Sequence, residues 1–568
     1  MKKTLSLILT LCLTACFDPI SSPPQLHSST LISSTSTEFR IEGRNLFPVK
    51  VLIGTQNASI LENDPTGAWV KVKIANPLKT GTYSLRVDNS DLSATAKTGI
   101  GVLDIAETFP ESDYDLESSR SKYILEGGGL LAFKPDLANR SAVLDAIAAA
   151  GFSITQTQEP LVPGSTSVCG QAMVLLSDNT ASRSVIEGLN ALQKSLESLE
   201  PGIVFDLNAK FVADSPSAGI SQNITSNTSS QTPAQARAIP ADLHLARVAV
   251  IDSGIVNHPI FSIGGTGNLI DFAAARNFTK EGNATDVTDL ATERNADGSL
   301  ASPTNNVGHG TAVAGMVGAT ILNTFAPAAT VYTPQMDKLV VPIKVCEGKA
   351  GRCRNSSVIL GVCYAISLNT GENPVKVINL SLGSKYPSSM LLSALNDASE
   401  RGMTIVTSAG NKGTDVSRPA NYPANFGLSE VGSYDAIPGL ISVASVEPFV
   451  GPIANTYQAS DFSSVAASVT ISGIGVVKAV AGNQLFPDVN ALKLFSGTSF
   501  SAPQVSAAAS LYYAKYVGMP DINPIAFKQK LIASAIPPNV PTPMPKLQPC
   551  APEKCGAGIL NIAGILTP

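Results

Sequence analysis

The sequence predicts an α/β protein. A parallel-sheet domain covers residues 241–568, preceded by a small β-sandwich at 36–105 and a smaller α+β unit at 112–213. Three observations carry this prediction. The chain has 568 residues, more than one hydrophobic core organises, so it divides into several domains. Apolar residues make up 44% and charged residues 15%, the balance of packed domains and not of wholesale disorder. The hydrophobic pattern also changes twice along the chain, and each change marks a boundary.

Residues 1–15 form an export signal. Lys2 and Lys3 give a short positive start, and an apolar stretch of roughly eleven residues follows, too short for the about 20 needed to cross a bilayer. It ends in Leu13-Thr14-Ala15-Cys16, which resembles the bacterial lipobox. Cleavage before Cys16 with lipidation of its thiol would tether the mature chain to a membrane of the bacterial cell envelope, at the outer membrane or cell surface. No later segment offers about 18 consecutive apolar residues. Residues 16–35, rich in Ser, Pro and Thr, read as a flexible stalk.

From 36 to 105, short runs at 38–41, 49–53, 69–74 and 82–87 alternate between Gly, Asn and Pro turns, as in a β-sandwich. Ile41-Glu42-Gly43-Arg44-Asn45-Leu46, Val51-Leu52-Ile53-Gly54 and Gly81-Thr82-Tyr83-Ser84-Leu85 resemble the immunoglobulin-like IPT/TIG modules. Trp69, the sole tryptophan, is expected to fill the core. Residues 112–213 change character: a strand at 130–133, a helix at 141–150, strands near 152–156 and 172–176, a second amphipathic helix at 182–199 and a closing strand at 204–212. This βαββαβ order fits a ferredoxin-like fold. Residues 214–240 are Ser, Thr, Asn, Gln and Ala with little apolar mass, a linker open to proteolysis. Beyond it, buried-type runs at 248–251, 340–345, 377–382, 404–408 and 441–445 alternate with helical stretches, which implies a parallel sheet covered on both faces.

Net charge is −5 and the pI about 5.6, with no basic run or stripe, so no nucleic-acid partner is expected. Export implies an oxidising compartment. Besides Cys12 and Cys16 there are six cysteines, and two short loops suggest themselves, Cys346 with Cys353 and Cys550 with Cys555. Cys169 and Cys363 are expected as buried thiols, with Cys363 an alternative partner for either end of the first loop. No spacing reads as a zinc site, and no metal ligand is assigned.

The chemistry rests on three windows. Only His309, among four histidines, stands in a specialised setting, Gly308-His309-Gly310-Thr311-Ala312. Arg247-Val248-Ala249-Val250-Ile251-Asp252-Ser253-Gly254 is an apolar strand ending in a carboxylate, at the sheet edge where α/β folds build their sites. Gly497-Thr498-Ser499-Phe500-Ser501-Ala502-Pro503 leads into an apolar helix, which puts Ser499 where the helix dipole favours developing negative charge. Together, in this order, these motifs resemble the three signatures of the subtilisin family, and the likeness covers about 247–565.

The resemblance implies a subtilisin-like catalytic domain with Ser499 as nucleophile, His309 as base and Asp252 as its orienting carboxylate. It implies that Asn411, in Ser408-Ala409-Gly410-Asn411, donates its side-chain amide to the oxyanion. Ser381-Leu382-Gly383 resembles the strand that pairs with an extended peptide substrate, and Ser408-Ala409-Gly410 a wall of the primary specificity pocket. These small uncharged residues suggest tolerance of medium apolar side chains. The resemblance also makes 112–213 a propeptide that caps the cleft, with self-processing expected within 214–240. The expected partners are thus polypeptide substrates, the chain's own propeptide and a membrane through the lipid anchor. No cofactor is required; structural calcium is common in the family, but no carboxylate cluster has an EF-hand pattern, so none is placed. The polar insert at 279–306 reads as an active-site rim or a plain surface loop, with the surface loop preferred. Two rivals stand against a peptidase: a catalytically silent subtilase fold used for adhesion, and an esterase, although Ser499 does not lie in Gly-x-Ser-x-Gly.

Overall fold

The computed structural model describes residues 25–26, 38–105, 114–115, 123–133, 140–179, 203–213 and 243–567, with scattered positions between 188 and 199. Within these spans it is interrupted at 76–80, 90–96, 290–307, 326–331, 414–420, 428–436, 450–455, 481–491, 538–545 and at shorter gaps. The signal segment with Cys16, most of the stalk, the 214–240 linker and most of the helix expected at 182–199 lie outside the described residues. Among the described residues, no helix is long and apolar enough to cross a membrane.

The chain divides into two compact units, Met1–Pro110 with Glu430–Ala436, and Glu111–Ser429 with Ile437–Pro568. In the first, antiparallel neighbours run in the order Gln25–Leu26, Glu38–Arg44, Trp69–Lys73, Gln56–Asn63, Pro48–Ile53, Gly81–Asn89, Lys97–Ile105. The first of these strands falls inside the segment read as stalk. Alternation decides the core: Val70 and Val72 point in while Lys71 and Lys73 do not, and they join Ile41, Leu46, Val51, Ile53, Ile74 and Val87. Trp69 opens its strand only half-buried and lies outside this cluster, so the expectation that it fills the core fails.

The second unit begins with β1 (Tyr123–Phe133), α1 (Arg140–Ala149), β2 (Phe152–Gln158), β3 (Ala172–Asp178) and β4 (Val204–Ala213). The sheet order β2-β3-β1-β4, antiparallel throughout, is that of a ferredoxin-like unit. Leu192 and Leu196, one helical turn apart, are both buried.

The remaining sheet is parallel at its centre. In sheet order it runs β6 (Val340–Lys344), β5 (Arg247–Asp252), β9 (Val375–Leu380), β11 (Thr404–Ser408), β12 (Leu440–Pro448) and β13 (Val469–Ile474). Its strands are buried almost residue by residue because helices cover both faces. On one face lie α2 (His309–Phe325) and α5 (Thr498–Lys515); on the other, α3 (Asn355–Ser367) and α4 (Ser389–Glu400). Between β6 and α3, a hairpin of β7 (Cys346–Glu347) and β8 (Arg352–Arg354) is closed by a Cys346–Cys353 disulfide. After β9 comes the two-residue β10 (Leu382–Gly383).

The ferredoxin-like unit packs on α3 and α4. Asp206, buried on β4, accepts from Ser388 Oγ (2.6 Å) and the Met390 N–H (2.9 Å), so its carboxylate caps the start of α4. Asn355 Nδ2 donates to Leu207 O (2.8 Å), and the Ser356 N–H donates to Asn208 Oδ1 (3.2 Å), at the start of α3. On the β2–β3 connection, Ser165 and Ser167 both donate to Asp397 on α4 (2.7 and 2.8 Å). That docking brings Cys169 within 5.2 Å, Cα to Cα, of Cys363 on α3, and the two form a disulfide. The expectation of two buried thiols is therefore wrong: a bond between partners 194 residues apart is invisible to short-loop arithmetic. Cys550–Cys555 is bonded as expected and lies away from the site, packed under β12 with Val446 and Ile559.

Candidate active site

Asp252 ends β5, and His309 opens α2, at the carboxyl edge of the parallel sheet. Their side chains meet, with His309 Nδ1 2.8 Å from Asp252 Oδ1 and both residues buried. Asp252 Oδ1 also accepts the Ser253 N–H at 2.7 Å. Gly310 is required at this join, since a Cβ there would collide with the Gly254 carbonyl. A carboxylate can only accept, so with Asp252 as acceptor the ring donates from Nδ1, and in a neutral imidazole that tautomer leaves Nε2 as the acceptor.

Ser499 is the second residue of α5 and fully buried. The ring of its neighbour Phe500 packs on the His309 imidazole, centroids 5.5 Å apart. Ser499 Oγ donates to Ser381 O (3.3 Å), and Ser381 Oγ donates to Ser499 O (2.9 Å). Asn379 Nδ2 holds Ser381 Oγ (3.0 Å), and Ser506 Oγ holds Asn379 Oδ1 (2.9 Å).

Asn411 lies at the mouth of α5. The Thr498 N–H and Thr498 Oγ1 both donate to its Oδ1 (2.9 Å each); a backbone N–H can only donate, so the amide orientation is fixed. Its Nδ2 is buried without a hydrogen-bond partner among the described residues. It also lies 3.0 Å from where a Cβ on Gly497 would stand, so a side chain at 497 would crowd the amide. Gly410 donates its N–H to Thr498 Oγ1 (3.1 Å), and the Ala409 N–H donates to Val443 O (2.9 Å), so Ser408, Ala409 and Gly410 run from β11 into the site.

Leu382 and Gly383 are paired with the end of β4: Val212 faces Gly383 and Ala213 faces Leu382, antiparallel. On its other edge β4 pairs with β8, Phe211 facing Cys353. Strand addition is thus seen here, with the chain's own residues as the added strand. The β8 edge escaped sequence reasoning because three residues between a glycine-containing loop and the start of α3 give no strand pattern.

Asp289 was also missed. It belongs to the insert read as a surface loop, yet it is fully buried. It accepts from Ser253 Oγ (2.9 Å), the Thr311 N–H (3.1 Å) and Thr311 Oγ1 (3.0 Å), so one carboxylate ties the turn after Asp252 to the first turn of α2. The described part of the insert is also held by Lys344, whose buried ammonium donates to Thr288 O (2.6 Å) and pairs with Glu281 (3.2 Å). The only signal in the sequence was an acid beside apolar Val287 and Leu290 in an otherwise polar segment. Among the described residues, no three His, Cys, Asp or Glu side chains converge to hold a metal ion.

The chain is similar to known proteins over this domain. The thermostable alkaline protease of Halalkalibacterium halodurans is 30% identical over 279 residues, 48% of this chain and 57% of that protein. Subtilisin BL of Lederbergia lenta is 31% identical over 277 residues, 47% of this chain and 76% of that protein. An extracellular protease of Xanthomonas campestris pv. campestris is 26% identical over 330 residues, 56% of this chain and 51% of that protein. The chain thus spans little more than half the length of the first and third of these relatives. Among solved structures, fervidolysin of Fervidobacterium pennivorans, a keratinolytic enzyme related to subtilisin, shares the fold with a TM-score of 0.51 at 17% identity, over 80% of this chain and 62% of that one. The sequence profile of the subtilase family matches residues 246–558, more than half of the chain. This protein therefore belongs to the subtilase family.

Proposed function

We propose that the chain is a serine endopeptidase, made as a precursor and processed by its own active site. The observation that carries this reading is the Asp252–His309 hydrogen bond at 2.8 Å beside a helix whose first turn contains Ser499 and, through Thr498, holds Asn411, whose Nδ2 has no partner among the described residues. Ser499 Oγ attacks the scissile carbonyl as His309 takes its proton, while Asp252 holds the imidazole in the required tautomer and stabilises it once charged. The oxygen of the tetrahedral intermediate accepts from Asn411 Nδ2 and from the backbone N–H of Ser499 at the helix N-terminus. His309 returns the proton to the leaving amine, and water hydrolyses the acyl-enzyme by the same groups.

Residues 112–213 serve as the propeptide. In support, β4 ends at Ala213 opposite Leu382, one residue short of Ser381, whose carbonyl accepts from the nucleophile. The last described residue of β4 thus stands next to the strand edge that touches Ser499, and cleavage falls within 214–240. Cys16 carries the lipid anchor that holds the protein on the cell envelope, and the substrates are polypeptides.

A fluorophosphonate probe should label wild type and not Ser499→Ala, and casein hydrolysis should follow the label. On a reducing gel wild type should show two fragments where Ser499→Ala stays intact. A silent scaffold would take no label, and an esterase would take label and cleave esters while leaving casein whole; either result overturns the reading.

A further inference from the structure

A cut within 214–240 severs the main chain between the catalytic domain and everything before it, Cys16 and the β-sandwich included. Cys169 lies before that segment and Cys363 beyond it, and the two are bonded. Of the three disulfides among the described residues this one alone crosses the cut, because Cys346–Cys353 and Cys550–Cys555 lie wholly on the catalytic side. The bond stands in a built interface. Cys169 sits in a short helical turn on the β2–β3 connection, its N–H donating to Ser167 Oγ (3.1 Å). Ser165 and Ser167 hold one oxygen of Asp397 on α4, whose other oxygen accepts from Arg401 Nε (2.6 Å), and the Val168 N–H reaches Ser393 Oγ (3.4 Å). Val162 and Val168 are buried in one apolar cluster with Val362 of α3 and Leu392 of α4, and both cysteines are only 2% exposed. Because α3 and α4 cover the sheet face opposite α5, this fastening lies away from the helix that carries Ser499.

Noncovalent contacts hold a cut chain together only while its concentration exceeds their dissociation constant, and a domain released outside the cell is diluted without limit. A covalent link makes retention independent of affinity. Given the self-cleavage and the lipid anchor proposed above, on which this rests, we infer that the Cys169–Cys363 bond is an attachment point. It fastens the processed catalytic domain to the anchored N-terminal half, so that the protein persists as a disulfide-linked two-chain molecule held at a membrane. Neither self-cleavage nor the anchor by itself decides where the catalytic half goes after the cut; the bond does.

The test follows both halves through a urea wash of membranes from cells that express the full chain. Urea parts noncovalent contacts, opens the interface around the buried sulfurs and leaves a lipid-anchored chain in the pellet. In wild type both halves should sediment together and run as two bands on a reducing gel. With a thiol reductant in the same wash, the catalytic half should move to the supernatant while the N-terminal half stays. Cys169→Ser combined with Cys363→Ser should lose the catalytic half to urea alone, and the reductant arm on wild type carries the test if that pair does not fold. A wild-type catalytic half that urea alone removes overturns the inference, as does a cut serine pair whose catalytic half stays in the pellet. The readings beneath it fail differently. An N-terminal half in the supernatant removes the anchor, a single band from wild type on the reducing gel removes self-cleavage, and each takes the inference with it.

Discussion

The disulfide between Cys169 and Cys363 joins the propeptide-like unit to α3 of the catalytic domain, so cutting the linker after Ala213 opens the chain without parting its halves. Replacing both cysteines by serine tests this without leaving a stray thiol. In the uncut chain the bond closes a loop between residues 194 apart, worth about 5 kcal/mol in the chain-entropy account, against about 2.5 for the bond closing seven residues at Cys346–Cys353. After cutting, the same bond holds β4 near the groove at an effective concentration of about mM, roughly a millionfold above an enzyme assayed at about nM. The cut wild-type enzyme should thus stay occupied on dilution, whereas the serine pair should lose its propeptide unit and gain activity. The covalent claim can be read without relying on self-processing. Ser499→Ala with a foreign protease site placed within 214–240 is cut and run denatured. With the cysteines present it should run as one species until a thiol reductant is added, and with the serine pair as two species throughout. Two bands from the cysteine form without reductant would refute the reasoning. So would a serine pair whose occupancy survives dilution as well as that of wild type.

Asn411→Leu should lower kcat by about 10² to 10³ with little change in KM, the loss known for one oxyanion donor in a subtilisin. Asn411→Asp keeps the acceptor for both Thr498 bonds and so should keep the melting temperature while losing turnover as severely; normal turnover in either form would remove Asn411 from the oxyanion site. Asp289→Ala strands three donors in the interior and should cost about 2 to 4 kcal/mol by denaturant midpoint, with kcat falling as the Asp252 turn and α2 loosen. A loss below about 0.5 kcal/mol would place it among ordinary surface acids. Burial pushes the Lys528 ammonium down to about 8. Because an unfolded lysine titrates near 10.4, the unfolded chain binds more protons between these values, and stability should rise as pH climbs through that window. Lys528→Met should flatten this rise, and identical pH profiles for the two proteins would contradict it.

What the sequence made legible was whatever chemistry constrains locally. Local pattern placed Asp252 at the end of an apolar strand and Ser499 at a helix N-terminus, while their roles came only from the three windows together resembling the subtilisin signatures. The parallel sheet was legible because strands buried on both faces must be continuously apolar. What escaped depends on contacts between distant segments. Nothing near Cys169 points to Cys363, since their pairing exists only once the β2–β3 connection docks on α3. Asp289 sits in polar sequence and becomes buried only because Ser253 and Thr311 arrive beside it from other elements.

The proline four residues beyond Ser499 shows why the nucleophile and the substrate strand stay in register. A helix ordinarily satisfies the carbonyl of one residue with the N–H of the fourth residue on, and Pro503 has none to give to Ser499. The carbonyl is buried, so a missing donor would cost on the order of 1 to 3 kcal/mol. Ser381 Oγ supplies it at 2.9 Å, and is itself held by Asn379, which Ser506 holds from two turns along the same helix. The circuit leaves α5 at residue 499, passes through the strand edge that a peptide would pair with, and returns to α5 at residue 506. Any slide of the helix along the sheet must break all three bonds together in a dry interior. A residue that on its own weakens a helix thus makes the separation between nucleophile and peptide-pairing strand a fixed length, which is what attack on a bound carbonyl requires.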